Sequence, residues 1–538
     1  MGERIGNVLA VAFLGVCFLF ASARMIRSAW RPAPETGEKE VTLRFAHWQL
    51  EDGVREALDE IAAAYMEANP GVSVRQVAIP EKIFRNWLVT QLVGGTAPDL
   101  IELGKGLTDE MRARYFYPIT EMANRPNPHN AGTDLEDVPL RETYFDGLDS
   151  GYSANLFQYY GLPLSGFTNR VFFNLDLLRE ITGGETLPAT YEELIALCDK
   201  VDVYAQEKNR PVIPIAGSRY NAPMLMSSLF GGQTQKLTDR LIPDGLIPWS
   251  MPRIAAAYGS GWSLDSPEIR AGAEIMREVG KHMQTGFLQL QRDDATFYFV
   301  QGRALMIVSG SWDSSSISTQ APFRIGVGRI PVPEPGKGRF GAFTRGKVSE
   351  AGQQASVLFG VSRTSKHPEV ALDFLAFMAS KRMNQAFTNR SGWAPSVVGV
   401  EPGELARQFM PEPEGTIQGF SLLLSNAPDL SRLVNNEFHR LFRIGGSSEE
   451  FLEAIRPGYA AALRSDLART IRNMNATRQR LDTVLGATAV LALREGAGGP
   501  ARRRLFLLME SATDTDRHQA LNELLARRMN PTSDAEEN

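Results

Sequence analysis

From Val41 the chain alternates short apolar runs with longer stretches whose apolar residues recur every three or four positions. VTLRFAHW, Val41 to Trp48, carries the β-branched and aromatic residues of a strand. VREALDEIAAAYMEANP then sets Val54, Leu58, Ile61 and Tyr65 at helical spacing. Asp52 stands ahead of it as a cap, and Asn69-Pro70-Gly71 stops it. VSVRQVAI reads as a strand, KIFRNWLVTQLVGG as a helix ended by glycines, and LIEL after Ala97-Pro98-Asp99 as a short buried strand. This alternation predicts right-handed crossovers and a mainly parallel sheet. Ligands of such sheets lie beyond the carboxyl ends of the strands. Those ends fall at His47-Trp48, near Ile79-Pro80, and at Glu102-Leu103-Gly104-Lys105.

A second region repeats the pattern. RVFFN is strand-like, and a helix begins near Asp176. PATYEELIALCD, Pro188 to Asp199, is a helix whose Thr190 and Glu193 fit a capping box. VIPIAG is a strand, whereas Tyr220 to Ser260 is too rich in Gly, Pro, Met and aromatics to assign. Ser266-Pro267-Glu268 opens a helix with proline in its first turn, extending to Gly286. Ala304 to Val308 is a compact apolar strand that breaks into Ser309-Gly310-Ser311, with Trp312 directly after. FRIGVGRIPVP and SVLFGVSR are further strands, and VALDFLAFMAS is a strongly apolar helix. Arg390 to Pro395 forms a turn holding Trp393, and the pattern is mostly helical from Leu405 onward. No internal repeat is evident.

Composition narrows the class. With 43% hydrophobic and 22% charged residues over 538 positions the chain is globular, with length for two to four domain-sized units. A net charge of -5, mixed in sign, offers no basic surface for nucleic acid. Scattered histidines and two cysteines, Cys17 and Cys198, give no metal site and no disulfide framework. At the N-terminus, the apolar run Val8 to Phe20 and Ala21-Ser22-Ala23 fit a signal peptide. The run is short for a bilayer span. Arg24, Arg27 and Arg31 behind it leave a retained anchor open. Residues 24–40 read as a polar linker.

Six segments, taken together, resemble the extracellular solute-binding proteins of ATP-binding-cassette importers, in the carbohydrate-binding group related to maltose-binding protein. They are EANPGVSVRQVAIP, QLVGGTAPDLIEL, GLPLSGFTNRVFFNLDLL, LPATYEELIALCDKV, FVQGRALMIVSGSWD, and SKHPEVALDFLAFMAS with NRSGWAPS behind it. The likeness runs from about Val41 to Arg456. It implies an α/β, two-lobed periplasmic-binding-protein fold of type II-like form, with extra C-terminal helices. By analogy the first lobe takes 41–164 and 355–380, the second 165–352 and 381–456, and 457–538 is an extension. The extension has its own pattern: Ile471, Met474, Leu481 and Leu485 share roughly one helical face, and LFLLMESATDTDRHQALNELLARRM suits a short helical hairpin. It is expected either to pack on the second lobe or to dock a partner.

Sugars present hydroxyls and flat C–H patches, so a sugar site needs aromatic faces and fixed polar groups. Trp48, Trp312 and Trp393 each lie in a loop by a strand end or proline turn, and none sits at helical core spacing. The resemblance places Trp312 where an aromatic stacks on the sugar, with packing as the plain alternative for each tryptophan. Glu102 and Lys105 are candidates for hydroxyl contacts, or else a surface ion pair. Ser165, Thr168 and Asn169 sit where the chain would cross between lobes, to line the cleft or simply to bond the hinge turn. Glu51 and Asp313 complete the candidate set, and Asp99 is expected to be structural. The implied function is solute binding with delivery to a permease by domain closure. No catalytic residue, cofactor or metal is expected, and the protein is expected to be a monomer outside the cytoplasm. A solute sensor or scaffold, and a glycan-active enzyme using the acids noted above, are the alternatives.

Overall fold

In the computed structural model the described residues are 41–51, 53–104, 107–153, 156–242, 254–255, 257–422, 427–495, 499, 501–502, 505 and 509, without the side chains of 474, 477, 480 and 481. The strands are β1 (Val41–His47), β2 (Val72–Ala78), β3 (Leu100–Glu102), β4 (Tyr152–Ser153), β5 (Gln158–Tyr159), β6 (Leu162–Gly166), β7 (Asn169–Asn174), β8 (Ile213–Ala216), β9 (Ala304–Gly310), β10 (Ile325–Gly328), β11 (Ala355–Val361) and β12 (Ala394–Pro395). They form one sheet in the order β12-β6-β11-β3-β1-β2, a second in the order β10-β7-β9-β8, and a β4–β5 pair. Each larger sheet is the centre of one lobe.

The opening strand-helix alternation behaves as its pattern requires. β1 runs parallel to β2, from Val41 opposite Val72 to His47 opposite Ala78, and parallel to β3. The helix Val54–Ala68 buries Val54, Leu58, Ile61 and Tyr65 against the first sheet. Its amino end is closed by Glu56, whose carboxylate accepts from the Gly53 amide at 3.0 Å. Thr190 and Glu193 close the helix Tyr191–Glu207 in the same reciprocal way. The helices Asn221–Gln233 and Gln235–Leu241 fill part of the stretch that no pattern resolved.

The sheets are mixed where a mainly parallel one was expected. β11 is antiparallel to both β3 and β6, β12 to β6, and β7 to β9 and β10. The late return of the chain into the first sheet supplies the β11 and β12 pairings, and in the second sheet β7 runs against both of its neighbours. That return is also longer than expected. The helix Lys381–Ser391 packs on Val54–Ala68, and β12 joins the first sheet, so residues beyond 380 serve the first lobe. β6 extends through Ser165 to Gly166, past the expected boundary at 164. β9 continues through Ser309 to Gly310 before turning, with all seven residues buried.

Three stretches cross between the sheets: Phe167-Thr168 from β6 to β7, 329–354 from β10 to β11, and the chain beyond β12. Arg170, just past the first crossing, is 1% exposed and ties the start of β7 to the other two. Its guanidinium donates to Glu350 at 2.6 and 3.0 Å, and to the carbonyls of Asn169, Gln408 and Met410 at 3.0 Å each. All five of its N–H donors are thereby used.

The C-terminal region is one helix, Ser448–Glu495, running through the expected boundary at 457. At 48 residues it is ~72 Å long. Apart from Leu505 and Met509, the expected hairpin beyond it lies outside the described residues, as does the N-terminal segment. Among the described residues no helix is long and apolar enough to cross a membrane.

Candidate functional site

The carboxyl ends of β1, β3, β8 and β9 open onto one region between the lobes. From the first lobe β1 delivers Trp48, Gln49 and Glu51, and β3 delivers Glu102. From the second, β9 delivers Ser311 to Asp313, and the turn after β8 leads to Tyr220. Arg292, at the start of the helix Arg292–Val300, joins the two groups. It holds Asp313 through two hydrogen bonds, one of them Nε to Oδ2 at 3.2 Å, and its Nη2 lies 3.6 Å from Glu51 across the cleft. Its guanidinium also stands over the Tyr220 ring at 5.7 Å. Asp313 accepts a further bond from the Ser309 hydroxyl. Burial pushes the Glu51 carboxyl above its usual range, and Arg292 opposes that push.

Glu102 is wholly buried. Gln49 Nε2 donates to its Oε1 at 2.5 Å and the Trp48 amide to its Oε2 at 3.2 Å. Burial raises its pKa to about 8, and Glu51 and Glu81 push the same way. His47 is also buried. Its Nδ1 accepts from the Gln49 amide at 3.1 Å, and its Nε2 faces Gln76 Oε1 at 2.9 Å. Burial lowers its pKa to about 4, so the ring is neutral and carries its proton on Nε2. Gln76, His47, Gln49 and Glu102 thus form one polar chain that fixes the Trp48 backbone.

Two of the tryptophans have matching seats. The Trp48 ring lies against Gly104, where an added Cβ would come within 2.6 Å of a ring carbon. The Trp312 ring lies against Gly310, where a Cβ would come within 2.1 Å. Each is partly buried and follows the end of a strand. Trp48 also meets Phe84 edge-on at 4.9 Å. Around Trp312, the Ser311 hydroxyl, Trp312 Nε1 and the Ser314 and Ser315 hydroxyls are buried with no hydrogen-bond partner among the described residues. Unpaired buried polar atoms are costly, and a polyhydroxyl solute offers the partners they lack.

The other candidates are placed differently. Trp393 is 0% exposed and sits in the first-lobe core, so no face of it is open to a cleft in this arrangement. The apolar neighbours Phe167 and Phe387 claim its ring. Ser165 donates to the Ala394 carbonyl at 2.8 Å, tying β6 to β12 within the first sheet, and Thr168 to the Phe409 carbonyl at 2.7 Å, tying the first crossing to the third. Asn169 is exposed at the start of β7. Asp99 accepts from the Arg44 amide and the Ser365 hydroxyl, the structural role expected. Lys105 and Asp52 lie outside the described residues. Among the described residues Asp199, Asp202 and His282 are near enough to share a cation, but His282 Nδ1 is already bonded to Asp202 at 3.0 Å.

Sequence reasoning missed Arg292, Gln49 and Tyr220. A signal existed for Arg292: a cation in the first turn of a helix opposes the helix dipole and implies a carboxylate partner elsewhere. Gln49 gave no signal, because its role depends on a glutamate 53 positions away.

Comparison with known proteins adds the following. Residues 51–385 match the family described as bacterial extracellular solute-binding protein. A multiple sugar-binding protein of Streptococcus mutans is 23% identical over 380 residues, covering 68% of this chain and 78% of that one. Among solved structures, SBP RafE in complex with raffinose has a TM-score of 0.55 at 18% identity, covering 79% of this chain and 100% of that one. The GacH receptor of Streptomyces glaucescens has a TM-score of 0.56 at 15% identity, covering 79% and 99%. These structures share the two-lobed fold.

Proposed function

Because the chain belongs to the bacterial extracellular solute-binding protein family, we propose that it binds a sugar or oligosaccharide between its lobes and hands it to the permease of an ABC importer. The observation that carries the reading is that Trp48 and Trp312 are each seated on a glycine at a strand end, with unpaired polar atoms of Ser311, Trp312 and Ser314 around the second. Aromatic faces suit the C–H patches of a sugar, and the orphan polar atoms suit its hydroxyls. The sugar ligands of the multiple sugar-binding protein and of RafE support the same class.

In this reading Trp48 and Trp312 stack on the solute. Glu51, Arg292 and Asp313 meet its polar edge, and Asn169 borders the crossing. Glu102 acts one step back, holding Gln49 and Trp48 in place. The solute enters an open form, and closure about the three crossing stretches buries it, which is the state the permease recognises. The protein works outside the cytoplasm as a monomer, with the N-terminal apolar segment as leader or anchor. No covalent step is involved.

A thermal-shift screen of the mature protein against mono- and oligosaccharides tests the proposal. A ligand at a hundred times its dissociation constant stabilises by ~2.7 kcal/mol. A panel in which no sugar moves the melting temperature while another solute class does would refute the carbohydrate reading. Turnover of a bound oligosaccharide would refute pure binding.

A further inference from the structure

We infer that the long C-terminal helix Ser448–Glu495 is a strap between the lobes: rooted in the second, it grips Phe157 of the first and favours the arrangement in which Glu51 meets Arg292. The inference concerns regulation of the cleft and rests on the solute-binding reading above.

The root of the helix is immovable on the second lobe. Phe451, Ile455, Tyr459 and Leu463, four apart, are fully buried in its core, and Leu467 and Ile471 continue that face. Asp466, also buried, accepts from the amides of Asp429 and Leu430 at 3.2 and 3.0 Å and so caps the neighbouring helix Pro428–Glu437. Beyond Ile471 the helix leaves that core. Eighteen further residues, ~27 Å of rod, separate Leu467 from Leu485.

There it meets the first lobe. Val484 and Leu485 pack on Phe157, which lies between β4 and β5. Among the described residues Phe157 joins neither apolar cluster of its own lobe, and those two side chains are the apolar partners of its ring. Its backbone is left-handed, with φ +53°, a conformation that bulky residues seldom adopt. Strain of that kind persists where surrounding structure over-determines it and often marks a functional contact. The segment beneath is firm: the Ile119 amide donates to the Tyr159 carbonyl at 2.8 Å, and the Ser153 hydroxyl to Asp109 at 2.8 Å. Thr488 and Ala492, at successive steps of four from Val484, continue the buried face of the helix.

The contact is therefore sensitive to conformation. The lobes are joined by the three crossing stretches, and the rod is a fourth, independent link with one fixed end. Rotation of the first lobe about the crossings must carry Phe157 along or away from the rod. Here the Phe157 contact and the Glu51–Arg292 approach at 3.6 Å occur together. A contact made in only one state shifts the balance by its differential free energy. The strap thus supports the arrangement in which Glu51 meets Arg292 before any solute arrives.

The test uses the full chain with Cys17→Ser and Cys198→Ala, and spin labels at Glu67→Cys and Lys281→Cys, exposed positions on the two lobes. Inter-lobe distances are read without any solute. Leu485→Asp and, separately, Phe157→Asp are expected to broaden the distribution and move it to longer distances, while Phe157→Leu leaves it unchanged. In the unlabelled chain, Phe157→Cys with Leu485→Cys is expected to oxidise to a cross-link that restores a narrow distribution when the label sites are reintroduced. An unaltered distribution in Leu485→Asp, or folded double-cysteine protein that does not cross-link, overturns the strap. If the sugar screen has given a ligand, Leu485→Asp should weaken it about tenfold, a shift of ~1.4 kcal/mol. Failure of that screen leaves the distance result intact, so the two readings fall separately.

Discussion

Phe167 meets Trp312 edge to face, with ring centroids 5.3 Å apart and planes inclined at 76°. Phe167 also meets Trp393 in the same manner, at 5.1 Å and 77°. Phe167 belongs to the first crossing, Trp312 to the end of the second sheet, and Trp393 to the first-lobe core. An aromatic column therefore passes from one lobe to the other through the hinge.

Replacing Phe167 with leucine keeps an apolar side chain and removes both edge-to-face contacts. Each is worth ~0.5–1.5 kcal/mol beyond burial. Phe167→Leu is expected to lower unfolding free energy by roughly 1–3 kcal/mol in urea titration. Tryptophan emission should shift to the red as the Trp312 ring gains water.

Gly310→Ala places a methyl group where Trp312 now lies. The added Cβ would be 2.1 Å from the ring, so the indole must leave its seat. Solute affinity should fall about as far as in Trp312→Ala, with the melting temperature of the free protein changed much less. Isothermal titration of both variants with the screened sugar checks this. A Gly310→Ala protein with native affinity would show that the seat does not matter.

Arg170→Met strands Glu350 and the carbonyls of Gln408 and Met410. Breaking one side of a buried ion pair costs ~3–5 kcal/mol. Chemical denaturation should show a loss of that size. Glu350→Gln in the same chain should recover part of it, because the uncompensated charge is then gone.

Two buried groups set opposite pH limits. His47 stays neutral down to about pH 4, while the unfolded chain binds a proton from about 6.5, so stability falls as pH drops through that window. Glu102 keeps a proton up to about pH 8, while the unfolded chain releases it near 4.5, so stability falls as pH rises between those values. Melting temperatures from pH 4 to 9 should show Glu102→Gln flattening the alkaline slope and leaving the acid slope in place.

The elements with a clear period were legible. Val54, Leu58, Ile61 and Tyr65 bury as their spacing requires, and Thr190 with Glu193 closes its helix. Trp48, Glu102 and Trp312 were placed at strand ends by topology alone. Trp393 was misread because a tryptophan in a proline turn looks exposed locally, whereas its burial comes from Phe167, distant in the chain. Ser165 and Thr168 bond carbonyls more than two hundred residues away, and no local pattern encodes that. The returning strands β11 and β12 made the first sheet mixed for the same reason.

Arg170 also has a meaning for the order in which the chain becomes a protein. Its partners at Glu350, Gln408 and Met410 lie 180 to 240 positions downstream. A nascent chain halted before Met410 holds an arginine that no finished hinge can accept, and a first sheet still lacking β12. Truncations ending before Met410 are therefore expected to be less stable than the full chain and more readily cleaved in limited proteolysis.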